Sequence, residues 1–101
     1  MPGEPKAAED AAPATTLTRA AVAERIAQRL AGRLSDAALA AWAFDRFYEV
    51  ELGAASLETG AEDVLEDALD ALMFGDDPAF RLSEEELRAL AARLTTTGYA
   101  T

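Results

Sequence analysis

Ahead of three runs of helical periodicity in this chain a leucine is followed by a hydroxyl residue, and five positions after the leucine stands another large apolar residue. The copies are Leu17-Thr18 with Val22, Leu34-Ser35 with Leu39, and Leu82-Ser83 with Leu87. A hydroxyl at an N-cap accepts a backbone N–H from the first helical turn, and the apolar pair around it closes the entry as a hydrophobic staple. The third copy adds Glu86 three residues after Ser83, which makes a capping box. Asp36, Glu84 and Glu85 also suit the positive end of a helix dipole. A signal of this kind, given three times, commits the chain to helices.

The residues after each signal repeat at helical spacing. Helix 1 is predicted over residues 18–32, with Val22, Ile26 and Leu30 four apart and Gly32 as terminator. Helix 2 is predicted over 36–52, with Leu39, Ala43, Phe47 and Val50 on one face and Gly53 at its end. The stretch GAASLETG (53–60) reads as a connection, and Thr59 with Glu62 offers a further capping box. Helix 3 is predicted over 60–74 on Val64, Leu65, Ala68, Leu69, Leu72 and Met73, stopped by Gly75-Asp76-Asp77-Pro78. Helix 4 is predicted over 84–96, with Leu87, Leu90, Ala91 and Leu94 inward. No strand pattern competes with these runs. The expected fold is all-α, a compact four-helix bundle over residues 17–97, with short connections and an up-down arrangement.

The ends read differently. Residues 1–16 hold three prolines and no large apolar side chain after Met1, so a disordered N-terminal tail is expected. Residues 98–101 are expected to fray.

Half of the 101 residues count as hydrophobic, but 25 of them are alanine, so the core must be thin. Cysteine and histidine are both absent, which removes disulfides, thiolate chemistry and any side chain that ordinarily titrates near neutrality. No apolar run approaches the ~20 residues that a bilayer requires, and no signal-peptide stretch opens the chain. A soluble, cytoplasmic protein without a membrane association is the default expectation.

The net charge is -10, from 19 acids and 9 bases. Such a surface repels a phosphate backbone and disfavours nucleic-acid binding, whereas it steers toward basic surfaces. The charge is also lopsided. Residues 51–77 carry nine carboxylates and no base. Glu62, Asp63, Glu66, Asp67 and Asp70 recur at spacings of three and four, which puts them on one helix face opposite the apolar residues. Like charges at these spacings weaken an isolated helix by a few tenths of a kcal/mol per pair. The arrangement fits either a solvated face or a stripe that meets a basic cleft, with Asp76 and Asp77 extending it. A calcium loop is excluded by the spacing, and no metal site or cofactor is expected. Paired carboxylates serve glycosidase chemistry only in a concave pocket that raises one pKa, and a thin four-helix body leaves little room for one. The chain is therefore read as a non-enzyme.

Two further groups stand out. Arg25, Arg29 and Arg33, loosely joined by Arg19, form a basic stripe that either pairs with local acids or meets the acidic half of another copy in a homo-oligomer. Trp42, Phe44, Phe47 and Tyr48 cluster on helix 2, where Phe47 projects to the core and Tyr48 outward. Trp42 and Tyr48 are candidate partner-binding anchors by residue type, and core filling is the competing use.

The stretch LTRAAVAERIAQRLAG (17–32) resembles the opening helix of an acyl carrier domain. Such domains carry an Asp-Ser-Leu motif for the phosphopantetheine arm, whereas this chain has Ala55-Ser56-Leu57 and an aromatic helix 2, so the carrier reading is rejected. The stretches LSDAALAAWAF (34–44), EDVLEDALDAL (62–72), DDPAF (76–80) and LSEEELRAL (82–90) together resemble small acidic helical immunity proteins of bacterial toxin systems, of the colicin D immunity type. That resemblance implies a stoichiometric inhibitor filling the basic active-site cleft of a nuclease toxin. The expected function is a non-catalytic acidic binding protein with a basic, nucleic-acid-acting partner. The alternative is a structural or adaptor protein that assembles through its helix surfaces.

Overall fold

The computed structural model describes residues 15–96. The disorder expected for residues 1–14 and the fraying expected at 98–101 lie outside the described residues. Within them the order is β1 (Thr15–Leu17), α1 (Arg19–Leu30), α2 (Asp36–Glu51), β2 (Ala55–Leu57), α3 (Glu62–Leu72) and α4 (Glu84–Thr95). The fold is mostly helical, and all four predicted helices are present.

The hydroxyl caps form as their positions predict. Thr18 Oγ1 accepts the Ala21 N–H at 3.1 Å and Ser35 Oγ accepts the Ala38 N–H at 3.0 Å. At α4 both halves of the capping box close: Ser83 Oγ accepts the Glu86 N–H, and Glu86 Oε1 accepts the Ser83 N–H at 2.8 Å. Leu17, Val22, Leu39 and Leu87 are buried, and Leu34 and Leu82 pack partly buried against the core. The C-termini of α1 and α2 close as Schellman motifs. The Arg33 N–H reaches the Gln28 carbonyl and the Ala54 N–H reaches the Glu49 carbonyl, both at 2.8 Å. Gly32 and Gly53 occupy the left-handed position that this closure requires, at φ 80° and 78°.

Helix α3 departs from expectation. Its N-cap is Ala61, with no side-chain cap, so Thr59 and Glu62 do not form a capping box. Thr59 and Gly60 are instead the middle residues of a tight turn, closed by the Ala61 N–H on the Glu58 carbonyl at 3.0 Å. Glu62 turns back onto the Gly60 N–H at 3.0 Å.

The all-α expectation is corrected. β1 and β2 pair in parallel, with Thr15 opposite Ala55, Thr16 opposite Ser56 and Leu17 opposite Leu57. Thr15 and Thr16, expected in the tail, therefore belong to the folded body. Segments of three residues are too short to display the period of two that reveals a strand. The ladder is also built between residues forty positions apart, with α1 and α2 as the crossover that a parallel pair needs. The register buries Leu17 and Ala55.

α1 packs chiefly against α4, and α2 against α3. The α1–α4 cleft is lined by Ala20, Ala23, Ala27, Ala91 and Ala92, whose small side chains let the two helices approach closely. The centre is occupied by Ile26, Leu65, Leu69, Leu87, Leu94 and Val22, all essentially inaccessible. Phe47, Leu30 and Met73 pack half-buried around it. No helix among the described residues is long and apolar enough to cross a membrane.

Candidate functional site

The outward arc of α3 carries Glu62, Asp63, Glu66, Asp67 and Asp70, and all five are exposed. Burial of Leu65, Ala68, Leu69 and Leu72 on the opposite arc fixes this orientation. Among the described residues, the ion-pair partner of this arc is Arg93, whose Nη2 stands 3.5 Å from Asp67 Oδ2 with both side chains more than half exposed. Such a contact is weak in water. Asp76 and Asp77 follow in the exposed turn after α3, where Asp77 Oδ1 accepts the Ala79 N–H at 2.9 Å. Among the described residues, no three carboxylates converge in a way that could hold a metal ion.

Beside the arc, α2, β2 and α3 enclose a groove of about 350 Å³. Its apolar lining comes from Phe47, Val50, Leu57 and Leu69, between carboxylates. Its rim is acidic, made by Glu51 from α2 and by Glu66, Asp67 and Asp70 from α3. Sequence reasoning placed three of these residues on one face and had Glu51 only as part of the acidic run 51–77; it missed the apolar lining, because a groove between helices depends on their packing. A second hollow, of about 360 Å³, lies between Asp70, Ala71, Phe74, Phe80 and Leu82, so Asp70 stands at the edge of both.

The aromatic candidates separate. Tyr48 is 56% exposed and packs edge-on against Phe44, with centroids 6.0 Å apart. Trp42 is not a free anchor. It is half-buried, with the Arg25 guanidinium 5.2 Å and the Arg46 guanidinium 5.7 Å from its ring centroid. Attraction of the Arg25 guanidinium to the indole ties α1 to α2, while Arg46 flanks the ring from within α2. Exposed Phe44, Tyr48 and Leu52 stand four apart and form an outward apolar stripe along α2. Phe74 and Phe80 form a second exposed aromatic pair, with centroids 6.1 Å apart. The four-residue spacing on α2 was the available signal for the stripe, but it competes with the core period on the same helix.

The basic stripe of helix 1 is largely spent on internal contacts. Arg29 donates to Asp36, whose other oxygen lies 3.4 Å from Arg81, and this hydrogen bond holds the Arg29 guanidinium above its ordinary pKa. Arg25 lies on Trp42, and Arg19 is bound by Glu58. Arg46 is likewise raised, by its hydrogen bond to Glu49. The hollow beside Thr18, Arg19, Glu58 and Leu94 therefore presents charges that answer each other. Ser56, the residue nearest to a carrier serine, sits half-buried in β2 with its Oγ 3.4 Å from Thr16 Oγ1.

No protein-family model, curated protein or solved structure matches this chain.

Proposed function

We propose that this chain is a non-catalytic acidic binding protein acting as a stoichiometric, immunity-like inhibitor of a basic nucleic-acid-acting protein. The observation that carries the reading is the exposed arc of five carboxylates on α3, met among the described residues by the single weak contact from Arg93. Arg19, Arg29 and Arg46 are held elsewhere, by Glu58, Asp36 and Glu49, and Arg25 lies on the Trp42 ring. Fixed negative charge on a folded helix occupies a basic cleft as a phosphate backbone does, and it accelerates encounter. On this reading the helices serve as a bundle scaffold that holds the carboxylates in place, and the protein works in the cytoplasm beside its target.

The test uses the full chain as bait at low salt, with a Glu62→Gln, Glu66→Gln, Asp70→Asn triple variant in parallel. Retention of a basic nucleic-acid-acting protein by the native chain, its release by salt, its loss from the variant, and block of its activity at one-to-one stoichiometry are expected. Equal retention by the variant overturns the reading.

The exposed Phe44, Tyr48 and Leu52 favour a second reading, an adaptor that assembles through its helix surfaces. A homo-oligomer that persists unchanged across salt concentrations in sedimentation would favour it over the inhibitor.

A further inference from the structure

We infer that the α2–α3 face is a docking site for a cationic amphipathic helix, which lays its apolar stripe in the groove and sets its lysines or arginines against the rim. The inference rests on the proposed acidic-binding role and specifies how the partner is held.

An electrostatic face alone needs no apolar lining. Here the carboxylates of Glu51, Glu66 and Asp70 border apolar surface formed by Phe47, Val50, Leu57 and Leu69. The stripe of Phe44, Tyr48 and Leu52 runs along the same helix just outside Glu51 in helical projection, and it spans two helical turns. On the far side of Asp70 the second hollow opens beneath Phe74 and Phe80. Apolar surface is therefore also exposed on α2 beside Glu51 and on the other side of Asp70. A single side chain or small cation would leave most of it in water, whereas an elongated segment several turns long covers it. A helix lying in a groove reads this pattern through apolar anchors three, four and seven residues apart.

Charge decides what kind of segment it is. Every ionisable rim residue is acidic, and residues 51–77 contain no lysine or arginine. A segment with acidic flanks is repelled, and one with basic flanks is drawn in. The same argument disfavours a second copy of this chain, because two such faces would bring carboxylates against carboxylates.

The test titrates the full-length protein calorimetrically with two eighteen-residue peptides of identical lysine, leucine and alanine composition. One places its leucines on a single helical face, and the other scatters them around the helix. At roughly physiological salt the amphipathic peptide should bind about tenfold more tightly or better, since each well-buried leucine is worth at least that factor. Tyr48→Ser with Phe80→Ser, both at exposed positions, should erase most of that preference without altering the circular dichroism. Glu66→Gln with Asp70→Asn should weaken both peptides.

Equal binding of the two peptides, insensitive to the Tyr48 and Phe80 changes but lost on neutralising Glu66 and Asp70, overturns the groove inference and leaves the electrostatic inhibitor standing. Binding unaffected by Glu66→Gln and Asp70→Asn overturns the cationic specification. Failure of both peptides to bind overturns the inference. A concentration-dependent dimer dispersed by Tyr48→Ser assigns the face to a second copy and overturns it too.

Discussion

The Glu58 carboxylate grips Arg19 through both oxygens and also takes that residue's own backbone N–H. Oε1 accepts from the Arg19 backbone at 2.9 Å and from Nε at 3.2 Å, and Oε2 accepts from Nη2 at 2.7 Å. Arg19 is the first residue of α1, and no acid of its own first turn serves the helix dipole. Glu58, thirty-nine positions away at the end of β2, supplies that negative charge. The same residue extends the strand ladder, because its N–H donates to the Leu17 carbonyl at 2.9 Å. One side chain thus pins the start of α1 to the strand pair.

This contact sets a pH dependence. The hydrogen bonds from Arg19, side chain first and backbone second, hold the Glu58 carboxyl below its ordinary value. A depressed folded-state pKa means that the contact stabilises above the unfolded value, near 4.3, and that the contribution is lost as pH falls through the lower folded value. Glu58→Gln should cost about 1 kcal/mol at pH 7, allowing for solvent screening. The difference from the native chain should shrink between about pH 4.5 and the acid limit. Urea denaturation of the two proteins at pH 7 and at pH 3 measures it, and an undiminished gap at low pH would contradict the assignment.

Removing caps should separate a real one from an apparent one. Ser83→Ala deletes one arm of a closed capping box and should destabilise by about 1 kcal/mol. Thr59→Ala removes no cap, because α3 begins at Glu62 behind Ala61, and should stay within about 0.5 kcal/mol of the native chain. Comparable losses from the two substitutions would show that the start of α3 is misplaced.

The acidic arc should trade stability for binding. Glu62→Gln, Glu66→Gln and Asp70→Asn relieve like charges four residues apart, each pair weakening the helix by a few tenths of a kcal/mol. The combined variant should melt a few degrees higher at low salt, and the gain should fade as salt rises. Weaker binding with raised thermal stability is the signature of a surface kept for recognition. A lower melting temperature at low salt would mean that these side chains contribute to the fold.

Trp42 and Tyr48 should respond differently although both are aromatic and lie on α2. Trp42→Ala removes a half-buried ring flanked by Arg25 and Arg46 and should cost about 2–3 kcal/mol, somewhat below the loss for a fully buried aromatic. Tyr48→Ser alters an exposed side chain and should cost less than about 1 kcal/mol. Chemical denaturation followed by circular dichroism distinguishes them without relying on Trp42 fluorescence.

Much of this protein was legible in residue order because its information is local. A hydroxyl cap, a staple five residues wide and a terminal glycine act within one or two turns, so Thr18, Ser35, Ser83, Gly32 and Gly53 disclosed their roles before any packing was known. The period of α3 likewise placed its carboxylates outward, since burying Leu65, Ala68, Leu69 and Leu72 leaves them nowhere else. What tertiary structure alone decided joins residues far apart in the chain. The pairing of Thr15–Leu17 with Ala55–Leu57 has no short-range signature, and Glu58 reads as one more member of an acidic run until Arg19 comes beside it. Trp42 looked like an interface anchor until α1 set Arg25 on its ring. The apolar lining between Glu51, Glu66 and Asp70 exists only where α2, β2 and α3 meet. Local hydrogen bonding and periodicity need a few neighbouring residues, whereas a groove or a salt link between distant segments needs the whole chain to have folded.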